Sequence, residues 1–438
     1  MNQLSSLWPP FQLQMEDWKY SEVKYLYDIL LGKMLQPEPR RADDREVPYL
    51  RAANVQWDGV RLDDFQTMYA SDEEIKTSHV KEGDLLVCEG GEVGRAAILK
   101  GKIPPDTIIQ NALHRVRGKH GNHVGFLRYL LQHIASKGWF DVICNRATIA
   151  HFTGEKFGEL RIAYPEPAMQ AAIADYLDRE TAKLDNTISA KQSLFNLLVE
   201  KRRALIAQAV TKGLDSSVQM KDSGIPWLGE IPAHWKIDRA RFLFVQSNLP
   251  VQSDNKMVTC FRDGTVTLRS NRREDGFTNG ILELGYQGIR CGQLVIHSMD
   301  GFAGSIGVSD SDGKCSPEYV ICDPLTDKTD AHYYAMLLRE MALRSFIQAS
   351  CPAVRERAPR IRFNDFKDFY LPIPPLHEQQ EIVACLGKLV TPIEQLFVST
   401  KNTIKLLQER RAALISDAVT GKIPLESMNL QSGGGDED

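Results

Sequence analysis

Two stretches of the chain, LLVEKRRALIAQAVTKG at residues 197–213 and LLQERRAALISDAVTGK at residues 406–422, are close copies of each other. Ten of their seventeen aligned positions are identical, and the stretches lie 209 residues apart. The same offset runs through both halves without a gap, as far upstream as two glycine-broken apolar runs. The chain is therefore a tandem repeat of a unit about half its length. Further matched pairs are Pro165 and Pro374, Gln170 and Gln379, and Gly83 and Gly292.

Each repeat ends in a region that we predict to be a long helix. Apolar residues recur there at alternating spacings of three and four, which gives a helix one continuous apolar stripe. Two such helices can pack against each other through these stripes. In the second region, Thr391 is followed by Pro392 and Glu394, a capping pattern that predicts a new helix beginning at Pro392. The predicted packing residues are Leu177, Leu184, Ile188, Phe195, Leu198, Leu205, Leu386, Ile393, Phe397, Ile404, Leu407 and Leu414.

The part of each repeat before the helix mixes short β-type runs, turns and amphipathic helices, which indicates an α+β globular head. The two heads resemble each other far less than the helices do. This contrast is expected if the heads do related jobs on different targets. The predicted boundaries are a first head at 1–165, a helical region at 166–213, a linker at 214–233, a second head at 234–373, a helical region at 374–422 and a flexible acidic tail at 423–438.

Composition limits the protein class. With 438 residues the chain is too long for one ordinary core, and 43% apolar with 25% charged residues is typical of a soluble globular protein. We find no uninterrupted apolar window of membrane-spanning length and no basic segment before an apolar core, so we expect a cytoplasmic protein. The eight cysteines form no CxxC pair, which favours reduced, mostly buried thiols.

Catalytic motifs are incomplete throughout the sequence. The closest match to a base-methyltransferase loop is WPPF at 8–11, where Trp8 replaces the amide or carboxylate. GVSDSDGKCS at 307–316 has the wrong spacing for a phosphate-binding P-loop. Gly90-Gly91 could cradle a phosphate, but the apolar run after it favours a hairpin turn. HGNH at 120–123 could bind a metal, but a solvated turn is favoured because further ligands are missing.

Clusters of arginine are the candidate nucleic-acid contacts. The net charge of −4 does not mark a nucleic-acid binder, so any contact must use local patches. Arginines neutralise phosphates and can pair with base edges, and the sequence does not assign either type of contact. The alternative is that these clusters are solvated surface. Arg355 occupies the position equivalent to Arg146, which favours function. Arg202 and Arg411 are better explained as contacts between helices, with a phosphate backbone as the alternative partner. The candidates are Arg115, Arg117, Arg146, Arg262, Arg269, Arg272, Arg273, Arg355, Arg357 and Arg360.

Four motifs together resemble those of the specificity (S) subunit of type I restriction–modification systems. They cover both halves of the chain in the order typical of that family. The first repeat departs from the family pattern, because AYPEPAMQAAIADYL replaces the usual Pro-Pro-Leu-x-Glu-Gln-Gln form at the helix start. The motifs are GDLLVCEGGEVGRAAIL at 83–99, SGIPWLGEIPAHW at 223–235, LPIPPLHEQQEIVACL at 371–386 and LLQERRAALISDAVTGK at 406–422.

This resemblance implies a non-catalytic subunit with two α/β target-recognition domains, each reading one half of a bipartite site in double-stranded DNA. It implies that the helical regions pack as an antiparallel coiled coil with pseudo-twofold symmetry, fix the half-site separation and dock two methyltransferase (M) subunits. Nuclease–translocase (R) subunits would join this assembly. S-adenosylmethionine, ATP and Mg²⁺ are expected on the partners, with no cofactor on this chain and no membrane contact. A freestanding enzyme and a pure coiled-coil scaffold are the alternatives.

Overall fold

The chain divides into two compact units, each holding one head and part of each long helix. The first unit contains residues 1–192 and 402–438, and the second contains residues 193–401. The computed structural model describes residues 18–144, 151–272, 284–350 and 360–429.

The first head is built on a four-stranded antiparallel sheet whose central strand, Leu85–Cys88, is wholly buried. Alternate side chains of a strand point to opposite faces. Leu85 and Val87 pack with Phe126 of a covering helix, whereas the other two side chains join a second cluster around Leu50. The run is continuously apolar because both faces of the strand are covered. The strand order is Tyr27–Leu31, Leu113–Gly118, Leu85–Cys88 and Ala96–Ile98.

The second head repeats this sheet. Its central strand, Leu294–His297, begins 209 residues after the one in the first head. Leu294 and Ile296 again pack into one cluster, while Val295 joins another. The tandem repeat predicted from the sequence is therefore confirmed at the level of the fold. The strand order is Phe244–Gln246, Tyr319–Pro324, Leu294–His297 and Ile306–Val308.

The remaining elements surround these sheets. In the first unit the other strands are Lys19–Glu22, Arg45–Leu50, Val55–Gln56, Gly59–Val60, Gln66–Ala70, Ile108–Ile109 and Arg161–Tyr164. Its short helices are Val23–Leu26, Ala52–Asn54, Asp72–Ser78, Val124–Ser136, Trp139–Ile143, Gly154–Glu159 and Leu425–Asn429. In the second unit the other strands are Met220–Asp222, Glu230–Pro232, Lys236–Arg239, Val258–Cys260, Val266–Leu268, Gln287–Ile289, Gly313–Cys315 and Tyr370–Ile373. Its short helices are Ala240–Phe242, Arg269–Asn271, Asp300–Ala303, Ala331–Leu343, Phe346–Ser350 and Phe363–Phe366.

The glycine pair of the first head forms a hairpin turn, as predicted. Leu85–Cys88 pairs antiparallel with Ala96–Ile98 across it. Gly91 has a φ of 75°, in the left-handed region that glycine adopts without strain. Gly94 is needed for a second reason, because a Cβ there would lie 2.2 Å from the ring of Phe140.

The two helical regions are single long helices, Pro167–Lys212 with 46 residues and Leu376–Val419 with 44 residues. Along each of them, buried or half-buried positions alternate with exposed ones at spacings of three and four, and all twelve predicted packing residues occupy this stripe. In the second unit, the rings of Phe195 and Phe397 lie 5.3 Å apart between centroids. In the first unit, Leu177 packs in one cluster with Ile415 and Ala418.

Two ion pairs join the long helices, one in each unit. Arg202 bonds Glu394 at 3.0 Å in the second unit, and Arg411 bonds Asp185 at 2.8 Å in the first. Arg411 lies 209 residues after Arg202, and Glu394 lies 209 residues after Asp185, so the two pairs are equivalent under the repeat. The interpretation of both arginines as helix contacts is confirmed.

The predicted helix start at Pro392 is wrong, because the second long helix runs through this proline. A proline inside a helix removes one backbone hydrogen bond and costs about 3 kcal/mol. The stripe continues across it from Leu386 to Ile393, both buried, while the proline itself faces solvent. The Thr391 hydroxyl donates to the Gly387 carbonyl at 2.7 Å, within the turn that the proline interrupts. Burial of the apolar stripe therefore outweighs the local capping pattern, and the helix does not begin at Pro392.

Two other boundaries differ from the prediction. The predicted linker contains a hairpin of strands Met220–Asp222 and Glu230–Pro232, and its Leu228 and Ile231 belong to the core of the second unit. The predicted tail begins with a helix, Leu425–Asn429, whose Met428 is 2% exposed. Neither segment could be predicted from the sequence, because their few apolar residues do not recur at the spacing of a helix or a strand. Residues 430–438 lie outside the described part of the chain.

The second long helix contains a markedly apolar segment. It contains an 18-residue window with mean hydropathy 1.4, so by length and composition alone it could cross a membrane. Only 17% of that window is buried. Part of its apolar surface is the stripe that faces the first long helix.

A buried glutamine joins each head to its long helix. Gln170 donates to the Pro165 carbonyl and the Asn122 side chain and accepts from the His123 amide, all at 2.8–2.9 Å. Gln379 donates to the Pro374 carbonyl at 2.8 Å and accepts from the Asp330 amide at 2.8 Å. It also donates to the Lys328 carbonyl at 3.1 Å. Both glutamines are 0% exposed.

We predict that Gln379→Leu destabilises the second unit by about 2–3 kcal/mol, because buried backbone groups lose their partners. Gln380→Leu, at the exposed neighbouring position, is the matched control and should change stability by less than about 0.5 kcal/mol. Urea unfolding followed by tryptophan fluorescence measures both. Equal effects of the two substitutions would contradict this role for the buried amide.

Candidate nucleic-acid interface

The second head contains a cleft of about 710 Å³ that gathers three of the predicted arginines. Arg262, Arg269 and Arg272 line it together with Asp263 and Asp300. Arg262 lies in a hairpin, Arg269 begins the short helix after it, and Arg272 directly follows that helix. Asp300 begins a short helix that follows the strand Leu294–His297. The other lining residues are Thr259, Cys260, Phe261, His297, Ser305, Ser316 and Tyr319.

Arg272 is held in a defined position. Its guanidinium carbon lies 4.3 Å from the centroid of the Phe261 ring, and both of its terminal nitrogens bond the carboxylate of Asp263. The hydrogen bond to Asp263 raises the pKa of Arg272, so the guanidinium remains protonated. Burial would raise the pKa of Asp263, but hydrogen bonds from Arg272 and from the Thr265 amide lower it below its usual value. A guanidinium that stacks on a ring and makes two hydrogen bonds to one carboxylate is held in a single orientation.

The other two arginines of the cleft have different partners. Arg262 has a side chain that is 71% exposed and pairs with Asp300 at 3.0 Å. Such an exposed pair is weak and exchanges readily for another anion. Arg269 donates from Nε to the Thr259 hydroxyl at 2.9 Å. The cleft therefore combines a fixed cation, Arg272, with an exchangeable cation, Arg262, and a third cation, Arg269, that bonds a threonine.

A neutral histidine lies in the cleft wall. Burial lowers the pKa of His297, and its Nδ1 accepts from the backbone amide of Asp300 at 3.0 Å. Its ring packs edge-on against Tyr319, with centroids 4.7 Å apart. At neutral pH this histidine adds no positive charge, so the charge of the cleft comes from its arginines and aspartates.

The remaining candidates of the second head lie elsewhere. Arg360 does not line the cleft, and it pairs with Glu318 at 3.1 Å. Arg273, Arg355 and Arg357 lie outside the described residues, as does Arg146 in the first head.

The two described candidates of the first head are structural. Arg115 is 6% exposed and donates to the carbonyls of Thr77 and His79, both at 2.9 Å, at the end of a helix. A cation there satisfies carbonyls that the helix leaves free. Arg117 bonds both carboxylate oxygens of Asp84, at 2.6 and 2.8 Å, and that carboxylate is 1% exposed. Neither arginine is a free surface cation.

Sequence reasoning missed a cationic loop in the first head. Arg40 and Arg41 are exposed beside a cavity of about 460 Å³. The Asp44 carboxylate accepts from both of their backbone amides, at 2.7 and 3.0 Å, and from the Gln36 side chain. These bonds, led by the one from the Arg40 amide, lower the pKa of Asp44. The only signal in the sequence was the pair of adjacent arginines in PEPRRADD at residues 37–44. No periodic pattern in this segment indicates that their side chains are exposed.

HGNH forms a turn, as predicted. His120 and Gly121 are exposed there with left-handed φ values of 53° and 80°. The turn leads into the helix Val124–Ser136 through His123, whose amide bonds the buried Gln170.

These features define a class of protein: two heads of one fold, each followed by a long helix, with different cationic surfaces on the two heads. A sequence profile described as the type I restriction modification DNA specificity domain matches residues 15–193 and again 294–406. The chain belongs to this family, and the resemblance seen in its motifs is confirmed. The two matched segments also confirm the tandem arrangement.

Curated relatives support the same family. The chain is 22% identical to the type I restriction enzyme EcoDI specificity subunit of Escherichia coli, over 63% of this chain and 65% of that protein. It is 25% identical to the putative type I restriction enzyme MjaX specificity subunit of Methanocaldococcus jannaschii, over 51% of each. The chain thus spans between half and two thirds of the length of these relatives.

Solved structures share the fold. One, from work on complex assembly and conformational transition of the type I R-M system, has a TM-score of 0.61 at 14% identity, covering 94% of this chain and all of that one. The HsdS subunit from Thermoanaerobacter tengcongensis has a TM-score of 0.51 at 14% identity, covering 95% of this chain and all of that one. The mixed α/β fold with long helices is therefore that of known specificity subunits.

We predict that Arg117→Met destabilises the first unit by about 3 kcal/mol, because it leaves the buried Asp84 carboxylate without its cation. Arg40→Met, at an exposed position of the same head, is the control and should leave the melting temperature unchanged. Calorimetry distinguishes the two. A normal melting temperature for Arg117→Met, combined with lost DNA affinity, would instead make Arg117 a DNA contact.

Proposed function

We propose that this chain is the DNA sequence-specificity subunit of a type I restriction–modification complex. Each head would read one half of a bipartite, asymmetric site in double-stranded DNA. The observation that carries this proposal is one head scaffold built twice with different cationic surfaces. A shared scaffold with unlike surfaces suits two readers of unlike sequences.

In the second head, we place the contact at the cleft. Asp263 takes one N–H from each terminal nitrogen of Arg272, and the Nε edge of the guanidinium keeps two N–H groups that can pair with two acceptors on one base edge, as arginine does with guanine. Arg262 can exchange Asp300 for a phosphate, which contributes affinity without sequence information. Arg269 lies between them in sequence and lines the same cleft. The adjacent Arg273 and the candidates Arg355, Arg357 and Arg360 remain predicted contacts of this head.

In the first head, the loop with Arg40 and Arg41 is the described surface best suited to DNA. Its arginines are exposed, while Arg115 and Arg117 support the fold. Arg146 remains a predicted contact, because Arg355 is its equivalent in the second head.

We further propose that the long helices pack as an antiparallel coiled coil with pseudo-twofold symmetry and set the separation of the half-sites. The equivalent ion pairs Arg202–Glu394 and Arg411–Asp185 support this arrangement. The contact of Phe195 with Phe397 and the regular stripe support it as well. A tandem repeat with such packing would present its two heads to DNA in related orientations.

The chain would itself be non-catalytic and cytoplasmic. We propose that two methyltransferase subunits dock on the helical regions and that nuclease–translocase subunits join them. Adenine methylation with S-adenosylmethionine, and cleavage with ATP and Mg²⁺, would then belong to these partners. The curated relatives are named specificity subunits of restriction enzymes, which supports this division of labour.

The proposal is tested by co-expressing the chain with its methyltransferase subunit and mapping modified adenines across the genome by long-read sequencing. The expected result is one bipartite motif with modified adenines in both halves. Arg272→Ala should relax one half by about tenfold or more and leave the other half intact, since a bidentate base contact is lost. Arg290→Ala, which removes an exposed arginine of the same head outside the cleft, is the control. No motif from a stable complex would overturn the proposal.

The ruler role of the helices gives a separate prediction. Three heptads inserted after Gln192, and three after Lys401, would lengthen each helix by about 31 Å while preserving the stripe. Because one turn of DNA is about 34–36 Å, the preferred spacer should grow by about one turn. A single heptad in each helix should lower methylation instead, because the second half-site would face a different side of the duplex. Selection from a library of spacers measures both, and an unchanged preferred spacer would refute the ruler.

A further inference from the structure

Both heads expose an aromatic ring next to a cation at an equivalent turn. This turn contains the short helix Val23–Leu26 in the first head and the short helix Ala240–Phe242 in the second. In the first head the turn reads Val23-Lys24-Tyr25-Leu26-Tyr27, and in the second it reads Ala240-Arg241-Phe242-Leu243-Phe244. The other apolar residues of the two turns are buried to matching extents. Val23 and Ala240 are 0% exposed, Leu26 and Leu243 are 6% and 5% exposed, and Tyr27 and Phe244 are each 1% exposed. Tyr25 is nevertheless 62% exposed and Phe242 56% exposed. The same position is therefore turned to solvent twice, and an aromatic residue occupies it twice.

The turn is fixed to the head by the same backbone bonds in both copies. The Val23 amide donates to the Leu160 carbonyl at 3.0 Å, and the Ala240 amide donates to the Phe369 carbonyl at 2.9 Å. Leu160 and Phe369 are themselves equivalent under the repeat. Each exposed ring is thus carried by a turn that is hydrogen-bonded to the equivalent point of its head.

Further aromatic and cationic side chains surround each turn. Tyr20, on the strand leading into the first turn, is 45% exposed, and the Lys24 ammonium lies 5.3 Å from the centroid of the Tyr25 ring. In the second head, Tyr370 is 49% exposed with the guanidinium of Arg239 at 5.3 Å from its ring centroid. We call these residues the aromatic–cation patches: Tyr20, Lys24 and Tyr25 in the first head, and Arg239, Arg241, Phe242 and Tyr370 in the second.

Duplex DNA suits these patches poorly. Its contacts are made by cations and polar groups, and its paired bases are stacked inside the helix, out of reach of an exposed ring. Aromatic residues and arginine are instead enriched at the centres of protein interfaces. Scattered exposed rings are ordinary on a protein surface, but scatter does not reproduce one exposed ring at one turn in two otherwise divergent heads.

A feature kept in both heads points to a partner that meets both heads alike. The base edges of two different half-sites do not fit this description, whereas two copies of one subunit do. The strand before each turn pairs with a strand that leads directly into a long helix, since Arg161–Tyr164 precedes Pro167 and Tyr370–Ile373 precedes Leu376. Each patch is therefore linked, through one pair of hydrogen-bonded strands, to a helix proposed to dock a methyltransferase subunit.

We infer that each aromatic–cation patch docks one methyltransferase subunit. The contacting surface of that subunit would be apolar opposite the exposed ring and would carry carboxylates that replace Glu22 and Asp368, which pair with Lys24 in the first patch and with Arg239 and Arg241 in the second. This inference rests on the proposed function and adds a contact on each head to the docking proposed for the helices. The patches then serve assembly, while the unlike surfaces of the heads serve recognition.

The test titrates purified chain with the methyltransferase subunit and counts bound copies by native mass spectrometry. Tyr25→Ala and Phe242→Ala should each weaken one of the two sites by about tenfold or more, so that a one-copy complex accumulates. The double variant should weaken both sites. Lys24→Glu and Arg241→Glu should act in the same direction through charge. Val142→Ala and Leu325→Ala remove comparably exposed apolar residues, 53% and 51% exposed, and should have no effect.

The outcomes separate the alternatives. A double variant that binds two copies as tightly as the unmodified chain, with an unchanged melting temperature, overturns the inference. Normal assembly with DNA affinity reduced equally on all sequences, and with a weaker salt dependence, also overturns it and assigns the patches to phosphates. Methylation mapping of the unmodified complex is an independent test of the proposed function, which the absence of a bipartite motif would refute. Loss of the second bound copy in the variants would still support docking at the patches.

Discussion

The structure depends on a fully satisfied amide buried at each junction between a head and its long helix. Burying an amide without partners is costly, so Gln170 and Gln379 are tolerated only in the geometry that satisfies them. Each glutamine ties its own long helix to the segment before the 13-residue helix of its head, through the His123 amide in one copy and the Asp330 amide in the other. Because these bonds are directional, they fix where each head sits on its helix. The surfaces proposed to meet DNA inherit that placement.

Charge in this protein is divided between support and surface. Arg115 and Arg117 satisfy a helix end and a buried carboxylate, and Arg202 and Arg411 join the helices. A net charge of −4 is compatible with this division, because affinity for an anion depends on the few cations that remain accessible. The cleft of the second head shows how such cations are kept ready. Its aspartates hold the guanidinium groups in place without removing them from the surface.

The sequence predicted the repeat, the long helices and the family, because each of these has a period or a motif. It could not predict the partners of single residues. In LHRVRG the two arginines alternate with apolar residues and resemble the solvent face of a strand, yet the carbonyls and the aspartate that cover them come from segments 33–38 residues away. Arg40 and Arg41 were missed because a loop has no period. Pro392 misled because a local capping pattern competes with a stripe that only the whole helix reveals.

The division of both helices between the two units has a consequence for synthesis. Residues 193–401 are contiguous, so the second unit can fold once they have left the ribosome. The first unit must wait for Ile415, Val419 and Met428, which complete its core. At about 5–20 residues per second, the first 192 residues spend roughly 10–50 s without that cover. The head that is made first is therefore finished last, and a chain cut short by early termination would leave its apolar surface open to proteases and chaperones.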